Sequence, residues 1–416
     1  MRTKAEIDNN EWFGEVPDSW RMVPLPRLFM SSKGMTVTRA DLVDEGAPVV
    51  NYAQVHSKLN NRFGIHEELI KHVPIGMVPK GLKYSEKGSF IFACTSEDLA
   101  GCGDCIYNDS EQPVNPGGDT LLLSPVDEVE NKYLAYLFST DMWRWQIRRD
   151  LVDVKVFHVN QGNLHETYVT VPPCDVQRRI VSYLDERCAA IDDDVKKRQK
   201  VIERLKEYKR SLIAHSVTKG LDPSAEMRDS GVEWIGEVPA DWELVPIKAD
   251  VSIGHGSNPT LPGDIPVWGS GSEPFKTCGE FKEGPAVLLG RKGTLDCPQL
   301  VVERYWNVDT AFDAKVTTTK LLLKFFYYVA TCVDIKPYTT NTAKPSMTQF
   351  DWGNSKIPRP FLFEQKKIVK FLDERCASID EAVSRQEQLI EKLSEYRKSL
   401  IHHAVTGKID CTEATK

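Results

Sequence analysis

The 416-residue sequence has no run of about 18 apolar residues, the length that a membrane-crossing helix needs. Its opening stretch, Met1 to Asn10, has no apolar core and does not read as a secretion signal. Ten cysteines are present, but only Cys102 and Cys105 have CxxC spacing, with Cys94 nearby. The second ligand pair of a structural zinc site is missing, so no metal is expected. Scattered cysteines in a large chain without an export signal read as reduced thiols, and the expected location is the cytoplasm. Positive charge is also in short supply. Lys and Arg number 53 against 60 Asp and Glu, a net charge of −7, which is not the balance of a simple nucleic-acid binder.

Catalytic motifs are absent as well. Gly254-His-Gly256 and Gly269-Ser-Gly-Ser272 lack the strand–GxGxxG–helix frame of a dinucleotide site. Gly290-Arg-Lys-Gly-Thr294 lacks the GxxxxGK[ST] spacing of a phosphate loop, and Asn115-Pro-Gly-Gly118 is not the Asn-Pro-Pro-Tyr/Phe tetrapeptide of amino-methyltransferases. No His cluster has metal spacing. A binding subunit fits these absences better than an enzyme.

What is present is written twice. Glu11-Trp-Phe-Gly-Glu-Val-Pro17 recurs as Glu233-Trp-Ile-Gly-Glu-Val-Pro239, with Trp20 matching Trp242, at an offset of 222. Ile180-Val-Ser-Tyr-Leu-Asp-Glu-Arg-Cys-Ala-Ala-Ile-Asp192 recurs as Ile368-Val-Lys-Phe-Leu-Asp-Glu-Arg-Cys-Ala-Ser-Ile-Asp380 at an offset of 188. The segments between the boxes therefore differ by 34 residues, and their sequences are unlike. Duplication for bulk alone would leave the inserts alike.

The second box opens a heptad seam. Leu184, Cys188, Ile191, Val195, Ile202, Leu205 and Leu212 are joined by steps of three and four, with Arg198 and Lys209 in the two gaps. The later copy has Leu372, Cys376, Ile379, Val383, Ile390, Leu393 and Leu400 in the same register, with Gln386 and Arg397 in the gaps. Asp175 precedes the first helix as a cap, and Gly220 and Gly407 follow the two helices. Val176 to Val217 is 42 residues, roughly 60 Å at about 1.5 Å per residue. One seam per helix predicts that the two pack antiparallel on each other.

The inserts mix short apolar runs with Gly, Pro and Asn turns, an α+β pattern. Ser89-Phe-Ile-Phe92, Val287-Leu-Leu-Gly290 and Leu300-Val-Val302 read as strands; Tyr133–Phe138 and Leu321–Tyr328 read as helices. The expected order is a first variable domain over 1–175, a helix over 176–218, a linker over 219–232, a second variable domain over 233–363, a helix over 364–406 and a tail over 407–416. The basic residues are uneven. Residues 244–360 carry 13 Lys and Arg against 11 acids, 175–220 carry 12 against 8, 21–174 carry 15 against 19, and 221–243 carry 1 against 7. Local patches or a partner must then supply phosphate attraction. Candidate DNA contacts are Lys58, Asn60 and Arg62; Lys155, His158, Asn160 and Gln161; Arg291, Lys292 and Thr294; and Asn341, Thr342, Lys344 and Ser346. Their cations, amides and hydroxyls suit phosphates and base edges, and exposed polar turns would look much the same.

The layout is a Trp-Phe-Gly-Glu-Val-Pro box, a variable segment, a proline-rich lead-in and a helix opening Gln177-Arg-Arg-Ile180 or Glu364-Gln-Lys-Lys-Ile368, then all of it again. This resembles the specificity subunits of type I restriction–modification systems over essentially the whole chain; Asp175-Val-Gln177 departs slightly from the usual Glu-Gln lead-in. The resemblance implies two target-recognition domains, each reading half of a bipartite DNA site, and a helix pair that spaces them. It implies two modification subunits that carry S-adenosylmethionine and flip an adenine for methylation, and restriction subunits that use ATP and Mg. This chain itself would bind no cofactor. The competing readings are a self-contained DNA-modifying or DNA-cleaving enzyme, and a coiled-coil scaffold with no role on DNA.

Overall fold

The computed structural model describes residues 13–14, 16–149, 151, 155–336 and 345–411. Glu11, Trp12 and Glu15 of the first box, and the candidate contacts Asn341, Thr342 and Lys344, lie outside the described residues. The chain forms two compact units, Met1–Lys196 with Ile390–Lys416, and Lys197–Leu389. Each unit thus takes one variable segment and a half of each long helix.

In the first unit the strands are β1 (Arg21–Pro24), β2 (Phe29–Lys33), β3 (Ala47–Val50), β4 (Lys71–Val73), β5 (Phe90–Ala93), β6 (Thr95–Ser96), β7 (Cys105–Tyr107), β8 (Asn115–Pro116), β9 (Thr120–Pro125), β10 (Phe157–His158) and β11 (Tyr168–Val171). The helices are α1 (Tyr52–Val55), α2 (Asn131–Phe138), α3 (Asp141–Arg148), α4 (Gln161–His165) and α5, the first long helix (Cys174–Lys219). A four-stranded sheet runs β2-β9-β5-β7, and a three-stranded sheet runs β4-β3-β8. The central β5 is apolar at every position because both of its faces are covered. Phe90 and Phe92 enter the main core beside α2, while Ile91 and Ala93 enter a second core on the other face. All of Tyr133–Phe138 in α2 is buried, between the sheet and α5.

The second unit repeats this plan. Its strands are β12 (Met227–Asp229), β13 (Glu237–Pro239), β14 (Glu243–Pro246), β15 (Val251–His255), β16 (Ile265–Trp268), β17 (Lys276–Cys278), β18 (Ala286–Gly290), β19 (Gln299–Val301), β20 (Trp306–Asn307), β21 (Ala311–Val316) and β22 (Lys356–Arg359). Its helices are α6 (Leu323–Ala330), α7 (Gln349–Asn354) and α8, the second long helix (Leu362–Val405). The sheets run β15-β21-β18-β19 and β17-β16-β20. Both pairings of β16, antiparallel to β17 and parallel to β20, match those of β3. The fold is α+β in both units. Inserts that are unlike in sequence therefore share one topology, and most of their length difference lies in the connections flanking one strand: 51–70 and 74–89 against 269–275 and 279–285.

The repeated boxes hold each variable segment to the long helices. Tyr136 donates to Asp185 at 2.6 Å and Lys132 pairs with it at 2.7 Å. Tyr328 and Lys324 do the same to Asp373, at 2.6 and 2.7 Å. Buried Gln177 accepts from the Glu130 amide and donates to the Pro172 carbonyl, and Gln365 repeats this with Leu322 and Pro360. Each long helix ends on a glycine with positive φ, Gly220 at 74° and Gly407 at 72°, where a side chain would be strained. Both glycines also lie against a box tryptophan. A Cβ would sit 3.2 Å from the Trp242 ring at Gly220 and 3.1 Å from the Trp20 ring at Gly407. The first box therefore packs on the end of the last helix, which explains why that pair of motifs recurs at opposite ends of the chain.

Within each unit the long-helix halves run antiparallel. In the first, Arg397 donates to Asp192 at 2.6 Å; in the second, Lys209 pairs with Asp380 at 2.6 Å and Lys206 with Glu387 at 3.6 Å. Arg397 and Lys209 are the polar residues in the seam gaps, as are Arg198 and Gln386, which bond at 3.0 Å. The seam is fully covered at Leu184, Leu372 and Leu400, where the α2 or α6 layer adds a third element, and buried at Ile191, Ile202, Ile379 and Val383. Val195, Leu205, Leu212, Ile390 and Leu393 are only half-buried, since a lone helix partner covers one side. Among the described residues no helix is long and apolar enough to cross a membrane.

Candidate nucleic-acid interface

The strongest candidate surface forms where β5 or β18 leaves its sheet. In the second unit Lys292 bridges Ser346, the Met347 amide donates to the Arg291 carbonyl at 3.0 Å, and the Gly293 amide donates to Pro345 at 3.0 Å. The structure thus brings the Gly290–Thr294 turn to the segment that precedes α7. Lys292, Thr294 and Ser346 are exposed on this shelf. Arg291 is half-buried, its guanidinium donating to the Asp309 carbonyl at 3.0 Å. The Asp309 carboxylate lies 4.0 Å from Arg291 and 3.8 Å from Lys292.

The first unit builds the same shelf from different residues. Thr95 pairs with His158 and Ser96 with Phe157, and the Val159 amide donates to the Cys94 carbonyl at 2.7 Å. Lys155, His158, Glu97 and Asp98 are exposed. Asn160 is the N-cap of α4, reciprocated by Asn163, and Gln161 donates to Ser31 at 2.6 Å. Thr348 caps α7 in the same way, and Gln349 donates to the Ile253 carbonyl at 2.7 Å. Asn160 and Gln161 thus hold the shelf in place, while His158 stands on it. In both units the backbone is satisfied by its own ladder, so the side chains are free to differ.

A third segment leans on each shelf: the connection after β3 or β16. In the first unit, residues 51–70 carry Lys58, Asn60 and Arg62. Lys58 is exposed. Asn60 donates to the Val55 and Cys105 carbonyls and accepts from the Arg62 amide, holding Arg62 at φ 71°. Arg62 turns inward to Asp104 at 2.8 Å, so Asn60 and Arg62 have partners within the unit. Asp104 also receives Arg144 at 2.6 Å and His56 at 3.2 Å, and His56 reaches the Thr95 carbonyl of the shelf at 2.8 Å. Burial pushes Asp104 up, but the His56 hydrogen bond and the two guanidinium groups outweigh it and hold the carboxyl at about 2. His56 is raised, chiefly by its bond to Asp104, against the opposing effect of burial. Sequence reasoning missed Asp104, His56 and Arg144, because their contacts span dozens of residues at no motif spacing. The nearby Cys102 and Cys105 are buried in the main core and Cys94 is half-buried; burial raises Cys94 to about 11 and Cys105 to about 12. Among the described residues no cluster of His, Cys, Asp and Glu could hold a metal ion.

The family model for the type I restriction modification DNA specificity domain matches residues 17–204. A putative type I restriction enzyme MjaX specificity subunit of Methanocaldococcus jannaschii is 23% identical, over 98% of this chain and 97% of that protein. The chain is thus similar to type I restriction enzyme specificity subunits along nearly its whole length. A second protein of that archaeon, the type I restriction enzyme MjaVIII specificity subunit, is 23% identical over 61% of this chain and 64% of its own length. A solved chain from work on complex assembly and conformational transition of the type I R-M system superposes with a TM-score of 0.71, covering 95% of this chain and 100% of that one at 15% identity. The family match stops at residue 204, yet the second unit repeats the four-stranded and three-stranded sheets of the first. The second unit thus resembles the matched region in topology.

Proposed function

We propose that this chain is the non-catalytic address subunit of a type I restriction–modification complex, each unit reading one half of a bipartite, asymmetric DNA target. The observation that carries this reading is the pair of shelves: one backbone frame, anchored alike, that exposes Glu97, Asp98 and His158 in the first unit and Lys292, Thr294 and Ser346 in the second. Acidic side chains accept from cytosine N4, and cations donate to guanine O6 and N7. Two frames with unlike chemistry suit two unlike half-sites. Lys58, Lys155 and Arg291 would add phosphate or base contacts around these shelves, with Asn60, Arg62, Asn160 and Gln161 setting loop geometry from within; by residue type, Asn341, Thr342 and Lys344 stay candidate DNA contacts.

The long helices would set the gap between the half-sites and dock two modification subunits, which the repeated box and heptad register of the two helices suit. Those subunits would bind S-adenosylmethionine and methylate adenine, and restriction subunits would bind ATP and Mg. The cytoplasm is the compartment where such a complex meets DNA. Genome-wide methylation mapping with and without this gene tests the reading. A bipartite motif should vanish with the gene, and exchanging residues 244–360 for another recognition domain should rewrite one half only. Methylation that does not depend on this gene, or a swap that rewrites both halves, would overturn it.

A further inference from the structure

The Gly269-Ser-Gly-Ser272 stretch fails as a nucleotide-binding motif, yet its place in the fold gives it another use. It lies in the connection between β16 and β17, residues 269–275, the counterpart of the 51–70 connection that leans on the first shelf. The second-unit connection is pressed against its own shelf. A Cβ on Gly269 would lie 3.1 Å from the Thr310 hydroxyl and 3.7 Å from the Phe275 ring, and a Cβ on Gly293 would lie 3.5 Å from the Ser270 hydroxyl. The Thr310 carbonyl in turn accepts from the Arg291 and Lys292 amides. Ser270, Phe275, Arg291 and Lys292 therefore share one patch.

Phe275 is the anomaly in that patch. Its amide is tied to the Val267 carbonyl at 3.1 Å, but its ring is 60% exposed. Lys276 sits 5.5 Å from the ring centre. A single exposed aromatic ring on a surface is ordinary. This one is held on a short connection, beside a basic shelf, among hydroxyls and glycines that let a duplex approach closely. Lys276, Arg291 and Lys292 outnumber Glu273 and Asp309 there, a balance that favours a polyanion.

Resting on the proposed reading of the shelves, we infer that Phe275 is a specificity residue of the second unit that reads a thymine through its C5-methyl group in the major groove. That methyl is the one apolar feature of a base edge there, and phenylalanine is among the side chains that contact it. Lys292 and Thr294 supply the polar half of the readout.

The test uses the assembled methyltransferase complex and duplexes carrying its mapped target. Deoxyuridine, which lacks only the methyl, replaces each thymidine of the second half-site in turn. Wild type should lose about three- to fivefold in affinity at one position, the effect of one buried methyl. Phe275→Ala should lose as much on the thymidine duplex and nothing further on the deoxyuridine duplex, while Phe275→Leu keeps part of the discrimination. A second half-site without thymine, or Phe275→Ala and wild type showing the same thymidine-to-deoxyuridine ratios throughout, overturns the inference. Equal loss on scrambled DNA would do so too, by making Phe275 a sequence-independent contact. If the complex shows no preference in that half-site at all, the reading of the shelves has failed instead.

Discussion

The two units solve one packing problem in different chemistry. Around the strand pair that leads into each long helix, the first unit buries Leu28, just past β1, and Val171, at the end of β11, in its main core. The offsets of 222 and 188 place Asp250 and Arg359 at the matching positions of the second unit. Asp250 is 1% exposed, pairs with Arg359 at 2.7 Å and accepts from the Thr318 hydroxyl at 2.6 Å. Arg359 also pairs with Glu243. Buried apolar residues in one unit and a buried ion pair in the other thus occupy corresponding positions. The ion pair gains little over its apolar equivalent, because desolvation offsets most of the attraction, but losing one partner leaves the other charge under-compensated.

That contrast sets the largest expected effect. Asp250→Leu should destabilise the second unit by about 2–3 kcal/mol, since Arg359 loses its buried partner and keeps only the exposed Glu243. Asp250→Leu with Arg359→Val copies the first unit's joint and should recover most of the loss. Hydrogen exchange on β15 and β22 through urea unfolding reads the second unit alone. A double variant as unstable as the single one would show that the joint is not interchangeable.

Where the units agree, the effects should be smaller and equal. Asp185→Asn and Asp373→Asn each remove a lysine pair and a tyrosine hydrogen bond. Each carboxylate is partly exposed, 40% and 36%, so about 1–2 kcal/mol is expected from each. The two sites lie in separate units, and their effects should add. Unequal losses, measured by exchange in α2 and α6, would mean that the shared clamp carries different loads in the two units.

The clamp also shows what was legible in the sequence. Repeated boxes and heptads gave the long helices, their glycine ends and the division of the variable segments, because each depends on local periodicity or on self-similarity. The common topology of those segments was hidden. Strand positions constrain only apolar character, so Phe90-Ile-Phe-Ala93 and Ala286-Val-Leu-Leu-Gly290 can share a role without sharing residues. The shelf was partly legible: Gly290–Thr294 and Ser346 stand out as separate polar stretches, and the fold brings them together. The Asp104 cluster was invisible, because His56, Arg62 and Arg144 converge on it from distant segments.

That cluster supplies the smallest and most selective difference between the units. Only a doubly protonated His56 ring can donate both to Asp104 and to the Thr95 carbonyl, and the raised histidine pKa reflects this. A pKa higher in the folded state gives stability that is present below the ordinary histidine value of 6.5 and lost as pH rises through the folded value. Asp104, held at about 2, stays ionised through that range and contributes no slope there. His402, in the same unit, is lowered by burial and has the opposite sign, so the useful quantity is the difference between wild type and His56→Gln, in which His402 cancels. That difference should be greatest near pH 5.5, about 1 kcal/mol for the charged hydrogen bond, and should shrink above the folded pKa. Exchange in β6 and β10, which carry the shelf, should follow it, while β18 in the second unit should not respond. A gap that stays constant with pH would mean that His56 supports the shelf by packing alone.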